Sequence, residues 1–141
     1  MKKKWRIVLV GLLVTGTTIS LYTWKEFTRT HADTAKLEAA FTYGALTLVE
    51  EFQKDESTAN AKLNDKVIAV KGNISKIDIG DSTQSVFLGV DESIGAVLCQ
   101  FDASHKEELA KLKEGEAVTI KGVCTGILMD VILTRCVLDK P

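Results

Sequence analysis

The sequence predicts a protein of mixed α+β class, mainly β, in which five strands and one helix follow in the order β-β-β-α-β-β and close a small barrel. Three observations predict this architecture. From residue 66 to residue 138, short runs rich in valine and isoleucine alternate with turn segments, as barrel strands do. A helical pattern at residues 104–113 separates the third run from the fourth. Ahead of them, residues 7–24 carry no charge and predict a transmembrane helix.

The uncharged segment 7–24 is close to the ~20 residues that cross the hydrocarbon core of a bilayer. Trp5 precedes it, and Tyr22 and Trp24 close it, as aromatic side chains do at a membrane interface. We therefore expect an uncleaved signal-anchor in a first region, residues 1–29. A cleaved signal peptide and a buried core helix are the alternatives. No cysteine lies near residue 20 to accept a lipid.

Basic residues cluster before the anchor and acidic residues after it. Residues 1–30 hold six of the 18 Lys and Arg and one of the 19 Asp and Glu, which leaves 12 basic and 18 acidic residues in the remainder. The positive-inside rule then places the N-terminus in the cytoplasm and the C-terminal domain outside the cytoplasmic membrane, as a periplasmic or extracytoplasmic domain. The acidic balance argues against a nucleic-acid partner, because cation–phosphate contacts supply most of that affinity.

Residues 30–64 are expected to form approach helices between the anchor and the barrel. An amphipathic helix is predicted over residues 30–54, with Thr34 as its cap. Its apolar face is made by Leu37, Phe41, Ala45, Leu48 and Phe52. Two roles stay open for this face: packing on the barrel, or pairing with a second copy of the chain. A second, short helix is predicted at residues 57–64.

The barrel domain is expected at residues 65–141. Its first strand, 66–79, is interrupted by Gly72, as at a bulge or sharp bend. The second and third strands are predicted at residues 84–90 and 96–101. One face of the third strand carries Val97, Cys99 and Phe101.

The second half of the barrel begins with the helix at residues 104–113. Ser104 and Glu107 fit a capping box, and Gly115 suits the helix end. Strands at 117–124 and 130–138 follow. Three meandering strands, a helix and a closing hairpin are the element order of the OB-fold, a five-stranded Greek-key barrel. A five-stranded SH3-like barrel is the alternative, but it normally lacks this helix.

Residues from about 48 to 138 resemble the tRNA_anti-like family of bacterial OB-fold proteins, which often carry an N-terminal anchor or lipid signal. The matching segments are Glu-x-x-Ala at 56–59, Lys-Val-Ile-Ala-Val-Lys-Gly at 66–72, Val-Leu-Cys-Gln-Phe at 97–101, Leu-Lys-Glu-Gly at 112–115, Val-Thr-Ile-Lys-Gly at 118–122 and Gly-x-x-x-Asp-Val at 126–131. The resemblance implies the barrel architecture, since these motifs mostly determine the fold. Through the anticodon-binding domains that give the family its name, it also implies nucleic-acid binding as an alternative function.

The three cysteines are Cys99, Cys124 and Cys136. Export to an oxidising compartment would allow one disulfide, and the predicted pairing of the last two strands favours Cys124 with Cys136. A Cys99–Cys136 bond and buried free thiols are the alternatives, because sequence alone does not choose partners. No metal site is expected, since there is no Cys-x-x-Cys motif and no histidine at ligand spacing.

No catalytic site is expected either. His31 and His105 are the only histidines and are interpreted as surface residues, and neither has a tyrosine placed to support haem attachment. The chain has no nucleophile motif, no phosphate-binding glycine loop and no carboxylate pair at a spacing that marks general acid–base catalysis. We therefore expect neither an enzyme nor a cofactor.

Candidate binding residues lie on the strands and loops that OB-folds use for ligands. They are Phe87, Asp91, Glu92, Phe101 and Asp130. At least one of the two aromatic residues is expected in the core, and Asp130 is first interpreted as a turn residue that accepts backbone amides. The expected function is a non-catalytic module, anchored through residues 7–24, that binds a protein, peptide or glycan. Nucleic-acid binding and a self-associating structural spacer are the alternatives.

Overall fold

The computed structural model describes residues 34–89 and 95–140, together with seven isolated residues nearer the N-terminus. The chain divides into two units, Met1–Asp33 and Thr34–Pro141. Most of the predicted anchor at residues 7–24 lies outside the described residues. Within the described part of the chain, no helix is long and apolar enough to cross a membrane.

The described residues of the second unit form six strands and three short α-helices. The strands are β1 (Phe41–Gly44), β2 (Val67–Ile79), β3 (Thr83–Leu88), β4 (Val97–Asp102), β5 (Ala117–Ile127) and β6 (Val131–Leu138). The helices are α1 (Ala45–Lys54), α2 (Glu56–Leu63) and α3 (Lys106–Leu109). Single 3-10 turns occur at Thr34–Lys36 and Ala103–His105.

Strands β2 to β6 close into a five-stranded barrel. The strand order is β1-β2-β3-β4-β6-β5. An additional antiparallel pairing of β2 with β5 closes the five strands β2 to β6, and β1 is added at the edge of β2. Strand β2 is long enough to take part in the barrel twice: its first half pairs with β5, and with β1 on its other side, and its second half pairs with β3. The predicted β-β-β-α-β-β order of an OB-fold barrel is therefore confirmed for the described residues.

The core lies inside the barrel and follows the alternation of each strand. Val97, Cys99 and Phe101 point inward from β4 and are at most 2% exposed, which confirms the face predicted for this strand. Helix α1 adds a second set of buried side chains. This set comprises Ala45, Leu48, Val49 and Phe52. The core therefore joins α1 to the barrel.

The predicted helix over residues 30–54 is wrong in its first half. Residues Thr34–Lys36 form a 3-10 turn, and β1 runs parallel to β2, with Phe41 opposite Ile68. The aromatic and β-branched residues of β1 favour a strand. Pairing with β2 also gives the backbone N–H and C=O groups of β1 hydrogen-bond partners. The helix begins only at Ala45. Leu37 and Phe41, assigned to the helical apolar face, are 39% and 37% exposed.

The predicted helix over residues 104–113 is shorter than expected. A 3-10 turn leads into the single α-helical turn of α3, and no side chain caps either start by a hydrogen bond. The capping box at Ser104 and Glu107 is therefore wrong. His105 instead packs its ring edge on Phe101 at a centroid distance of 5.8 Å, which holds the 3-10 turn against the end of β4.

Helix α2 has a cap that the sequence interpretation missed. Asp55 Oδ1 accepts the backbone N–H of Thr58 at 3.1 Å, and Oδ2 accepts the Thr58 hydroxyl at 2.6 Å. These bonds favour the carboxylate and lower the pKa of Asp55, the hydroxyl bond most strongly. Aspartate is a preferred N-cap residue for this reason.

Gly72 has a different role from the bend predicted for it. A Cβ built on Gly72 would lie 2.9 Å from the Cβ of Ala45, so its missing side chain lets α1 pack directly on β2. The register irregularity in β2 lies further along, between Ile74 and Lys76. Gly72 is therefore a helix-packing position.

Replacing Gly72 by serine should push α1 off the barrel. We expect the substitution to lower the free energy of unfolding by about 1–3 kcal/mol, the range for an over-packed core. Urea unfolding of the full chain in detergent, followed by circular dichroism, measures the change.

The matched control is Gly44→Ser. Gly44 is the N-cap of α1, has φ −75°, and its added Cβ would meet Thr47 Oγ1 at an ordinary 3.6 Å. Serine is also a preferred N-cap residue, so this variant should be as stable as the original chain or slightly more stable. Equal losses at the two positions would contradict the packing role of Gly72.

Candidate ligand-binding face

One row of side chains crosses four neighbouring strands on the outside of the barrel. Cross-strand register places Lys76 of β2 opposite Phe87 of β3, Phe87 opposite Leu98 of β4, and Leu98 opposite Ile132 of β6. Phe87, Leu98 and Ile132 alternate with fully buried residues and are themselves half-buried. We call these three residues the apolar row. Together they present a continuous apolar stripe to the outside.

Polar and acidic groups lie beside the apolar row. Asp78, Ser85 and Gln100 form the next row across β2, β3 and β4. The pair after it on β3 and β4 is Thr83 opposite Asp102. The face therefore combines an apolar stripe with a polar, acidic margin.

Lys76 supplies a cation at one end of the apolar row. Its Nζ lies 5.7 Å from the centroid of the Phe87 ring, within the range of a cation–π contact. An exposed contact of this kind is worth about 0.5–1 kcal/mol. It orients the ring at the edge of the stripe.

The β5–β6 hairpin carries two further apolar side chains at its tip. Leu128 is 84% exposed and Met129 is 91% exposed, the largest values among the apolar residues described. Full burial of one leucine or methionine side chain contributes about 1.5–3 kcal/mol. A ligand that covers this tip would therefore gain binding free energy from both side chains. The tip directly precedes β6, the strand that carries Ile132 at the end of the apolar row.

Asp130 fixes the hairpin tip to the loop before β4. Its Oδ1 accepts the backbone N–H of Ala96 at 2.9 Å, and the Ala96 carbonyl accepts the N–H of Val131 at 3.1 Å. This agrees with the interpretation of Asp130 as a turn residue that accepts a backbone amide. Its contribution to a binding face is to hold the hairpin in position.

The other candidate binding residues fall into three groups. Phe87 lies on the outer face, as a ligand-binding residue requires. Phe101 is 2% exposed and belongs to the core, so the structure does not bring it to that face. Asp91 and Glu92 lie outside the described residues.

The sequence interpretation missed four apolar residues of this face, Leu98, Ile132, Leu128 and Met129, and also Lys76. The signal for Leu98 was present, because Val97, Cys99 and Phe101 had been assigned to one face and alternation places Leu98 on the other. Ile132 lies between Val131 and Leu133, two more apolar residues, and the same alternation places it on the outer face once these two are in the core. The hairpin tip gave a weaker signal, since an apolar pair in a short turn is not by itself a ligand site.

The three cysteines are free thiols, and all are buried. Cys124 of β5 lies opposite Leu133 of β6 rather than beside Cys136. Burial raises the pKa of the Cys124 thiol and of the Cys136 thiol, because a thiolate loses hydration there. The cross-strand position expected for a Cys124–Cys136 pair is therefore not observed.

A polar and aromatic cluster joins β1 to the two approach helices. Lys62 Nζ donates to the Tyr43 hydroxyl at 2.8 Å and to Glu51 Oε1 at 3.0 Å, and it lies 5.2 Å from the centroid of the Phe41 ring. The bond from Lys62 lowers the pKa of Glu51, while Tyr43 and then Glu51 raise the pKa of Lys62. These groups hold β1, α1 and α2 together.

A cleft of about 640 Å³ opens between β2, β5 and the C-terminal end of β6. Leu112, Val118 and Leu138 give it apolar walls, and its charged groups are of both signs. Lys140, at its edge, bonds to Glu108 at 2.8 Å. The volume suits a small ligand, but the mixed charges indicate no single ligand class. Among the described residues, no group of three His, Cys, Asp or Glu could hold a metal ion.

Comparisons with known proteins agree with the barrel. The family model described as tRNA_anti-like matches residues 1–138, and no curated protein matches the chain. A candidate nucleic acid-binding lipoprotein from Klebsiella pneumoniae subsp. pneumoniae has a similar structure, with a TM-score of 0.59 and 18% identity, over 70% of this chain and 91% of its own. At this identity the likeness shows a shared fold.

Two further solved structures are more distant. The first is the OBody AM3L09 bound to hen egg-white lysozyme, with a TM-score of 0.46 and 16% identity, over 55% of this chain and 84% of its own. The second is from the S. pombe Stn1-Ten1 complex, with a TM-score of 0.42 and 20% identity, over 53% of this chain and 59% of its own. The comparisons give no support to the expectation that a nucleic-acid partner is disfavoured.

Substituting Asp130 by alanine should destabilise the barrel. The change leaves the Ala96 N–H without its acceptor, and a hydrogen bond to a charged group is worth about 1.5–3 kcal/mol. We expect a fall of this size in the free energy of unfolding, measured by urea unfolding of the full chain in detergent. Asp78→Ala is the control, because Asp78 is an exposed residue of the outer face. An Asp130→Ala variant with an unchanged free energy of unfolding would contradict the role of Asp130 in holding the hairpin in position.

Proposed function

The chain belongs to the tRNA_anti-like family, and we propose that it is a non-catalytic OB-fold binding module, anchored in the cytoplasmic membrane by residues 7–24 and displayed outside it. The ligand is a peptide segment of a protein partner, bound on the outer face along the apolar row and the β5–β6 hairpin tip. The anchor rests on the uncharged segment, its aromatic ends and the basic residues before it.

The observation that carries the proposal is the apolar row. OB-folds bind ligands on their second and third strands and on adjoining loops, including the one that joins the last two strands. In this barrel β3, β4 and the β5–β6 hairpin hold those places. Phe87, Leu98 and the hairpin tip are the apolar residues at these three sites.

The charges of the face support a peptide ligand. Asp78 and Asp102 lie on the outer face with Lys76, and Asp81 lies in the turn between β2 and β3. An extended segment with apolar side chains would cover the row, and basic residues flanking that segment would meet the acidic margin. A glycan would match the polar margin but leave the leucine, isoleucine and methionine without apolar contacts.

Nucleic-acid binding is the second candidate. The observation that favours it is the Lys76–Phe87 pair, which combines an aromatic ring able to stack on a base with a cation able to meet a phosphate. The acidic residues of the same face oppose it. A nucleic-acid ligand would bind more weakly as salt rises, whereas a ligand held on the apolar row would be much less sensitive.

The self-associating spacer is the weakest alternative. It requires a free apolar helix face in the approach segment, but Ala45, Leu48 and Phe52 of α1 are buried in the barrel core. Their burial supports the other role left open for this apolar face, which is packing on the barrel. The exposed residues of α1 include a single large apolar side chain, Leu46.

Site-specific photo-crosslinking in cells tests the proposed face. A benzophenone-bearing residue at position 98 of the full chain should give a discrete, protease-sensitive and nuclease-resistant adduct. The same residue at position 111, an exposed site beyond α3, should not give that adduct. The double substitution Phe87→Ser and Ile132→Ser should abolish the adduct while the circular dichroism spectrum stays that of a folded barrel.

Three outcomes would contradict the proposal. The first is the same adducts from positions 98 and 111. The second is an adduct that survives the double substitution. The third is a nuclease-sensitive adduct at position 98, which would replace the peptide by nucleic acid.

A further inference from the structure

Exposed apolar side chains lie close to the start of the second unit, which begins at Thr34. Leu37 precedes β1 and Phe41 is its first residue, and they are 39% and 37% exposed. β1 stands at the end of the strand order and pairs with β2. Among the described residues, no strand covers its outer edge.

Phe41 and Tyr43 form an aromatic pair on β1. They are two residues apart, so both side chains lie on the same face of the strand, and their ring centroids are 6.3 Å apart. Lys62 Nζ lies 5.2 Å from the Phe41 centroid and 5.5 Å from the Tyr43 centroid, and the Lys62 side chain is 44% exposed. We call Phe41, Tyr43 and Lys62 the β1 cluster. It combines aromatic rings, a phenol hydroxyl and an accessible ammonium group.

The segment before β1 is held against the barrel close to this cluster. The Ala35 carbonyl accepts a hydrogen bond from Lys121 Nζ of β5 at 3.1 Å. Register places Phe41 opposite Ile68, and Ile68 opposite Gly122. Gly122 directly follows Lys121. Because neighbouring strands are about 4.8 Å apart, Phe41 lies roughly 10 Å across the sheet from this part of β5.

A short segment connects this part of the barrel to the proposed anchor. Nine residues, 25–33, separate the uncharged segment 7–24 from Thr34. An extended chain spans at most about 3.3–3.6 Å per residue, so these nine residues reach at most about 30 Å. The start of the second unit, with the β1 cluster beside it, is therefore kept near the membrane surface.

We propose that Leu37 and the β1 cluster contact the headgroup region of the membrane that holds the anchor; this inference rests on the anchor in the proposed function. Aromatic side chains with a polar edge, such as Tyr43, favour this region because the ring is apolar and the hydroxyl is hydrated. The Lys62 ammonium meets lipid phosphate while its alkyl stem stays beside the rings. Leu37 and the exposed part of Phe41 gain apolar contacts.

This contact would leave the hairpin tip open to a ligand. Leu128 lies six residues beyond Gly122 along the chain, a distance of roughly 20 Å at about 3.3 Å per residue of strand. The β1 cluster and the tip are therefore separate surfaces. One would rest on the membrane while the other binds the partner.

Fluorescence quenching in vesicles tests the contact. The full chain carrying Glu38→Cys, an exposed position between Leu37 and Phe41, is labelled with an environment-sensitive dye and reconstituted into phosphatidylcholine vesicles. The three natural cysteines are buried and stay unlabelled. Vesicles that also contain phosphatidylcholine with a nitroxide on its headgroup should quench this dye strongly. The same dye on Met129→Cys or Lys111→Cys should keep its fluorescence.

Substitutions distinguish a contact from mere nearness to the anchor. Leu37→Ser with Phe41→Ser, in the chain labelled at position 38, should remove the quenching, whereas nearness set by residues 25–33 would be unchanged. Ile79→Ser is the matched control, because Ile79 is 39% exposed and lies at the opposite end of β2 from the residues that pair with β1. It should leave the quenching as it was. Circular dichroism checks that both variants keep the folded barrel.

Flotation of the vesicles separates this inference from the proposed function. A chain that does not float with the vesicles lacks the anchor, which would overturn both. A chain that floats would overturn the membrane contact alone in three cases: no quenching at position 38, equal quenching at position 129, or quenching that survives the double substitution.

Discussion

The structure depends on the closure of β2 onto β5. Seven residue pairs join Val67–Asn73 to the start of β5, while the second half of β2 turns away to pair with β3. A strand can serve two partners in this way only if it bends, and β2 has its register irregularity between Ile74 and Lys76. Closure joins β2 to β5 and forces alternate side chains of every barrel strand either into the core or out to the surface.

That division explains why the core and the candidate face lie on the same strands. Val97 and Cys99 fill the interior, and Leu98 between them therefore points to the outside.

Residues 34–64 complete the enclosure of the core. α1 packs at Gly72, and Lys121, only 9% exposed, donates to the Ala35 carbonyl at 3.1 Å. Residues 34–64 therefore belong to the barrel physically, although the sequence suggested a separate linker.

Sequence patterns predicted the barrel because each of its strands has a buried and an exposed face and its turns contain glycine. Gly115 illustrates this: its φ of +84° favours glycine, and its N–H bonds to the Ile74 carbonyl at the barrel wall. β1 was missed because its residues also fit a helical repeat, and only pairing with β2 selects the strand. The length of α3 was overestimated because a capping-box sequence does not by itself form a helix. Here the segment packs on Phe101 at the end of β4 and begins as a 3-10 turn.

A binding barrel held outside the cytoplasmic membrane can be tested most directly by labelling a single thiol. The full chain carrying Met129→Cys would expose one cysteine at a tip that is 91% accessible, while Cys99, Cys124 and Cys136 are buried. A maleimide that does not cross the cytoplasmic membrane should label this variant in intact cells and leave the unsubstituted chain unlabelled. Labelling that requires disruption of the cytoplasmic membrane would place the barrel in the cytoplasm and contradict an exported binding module.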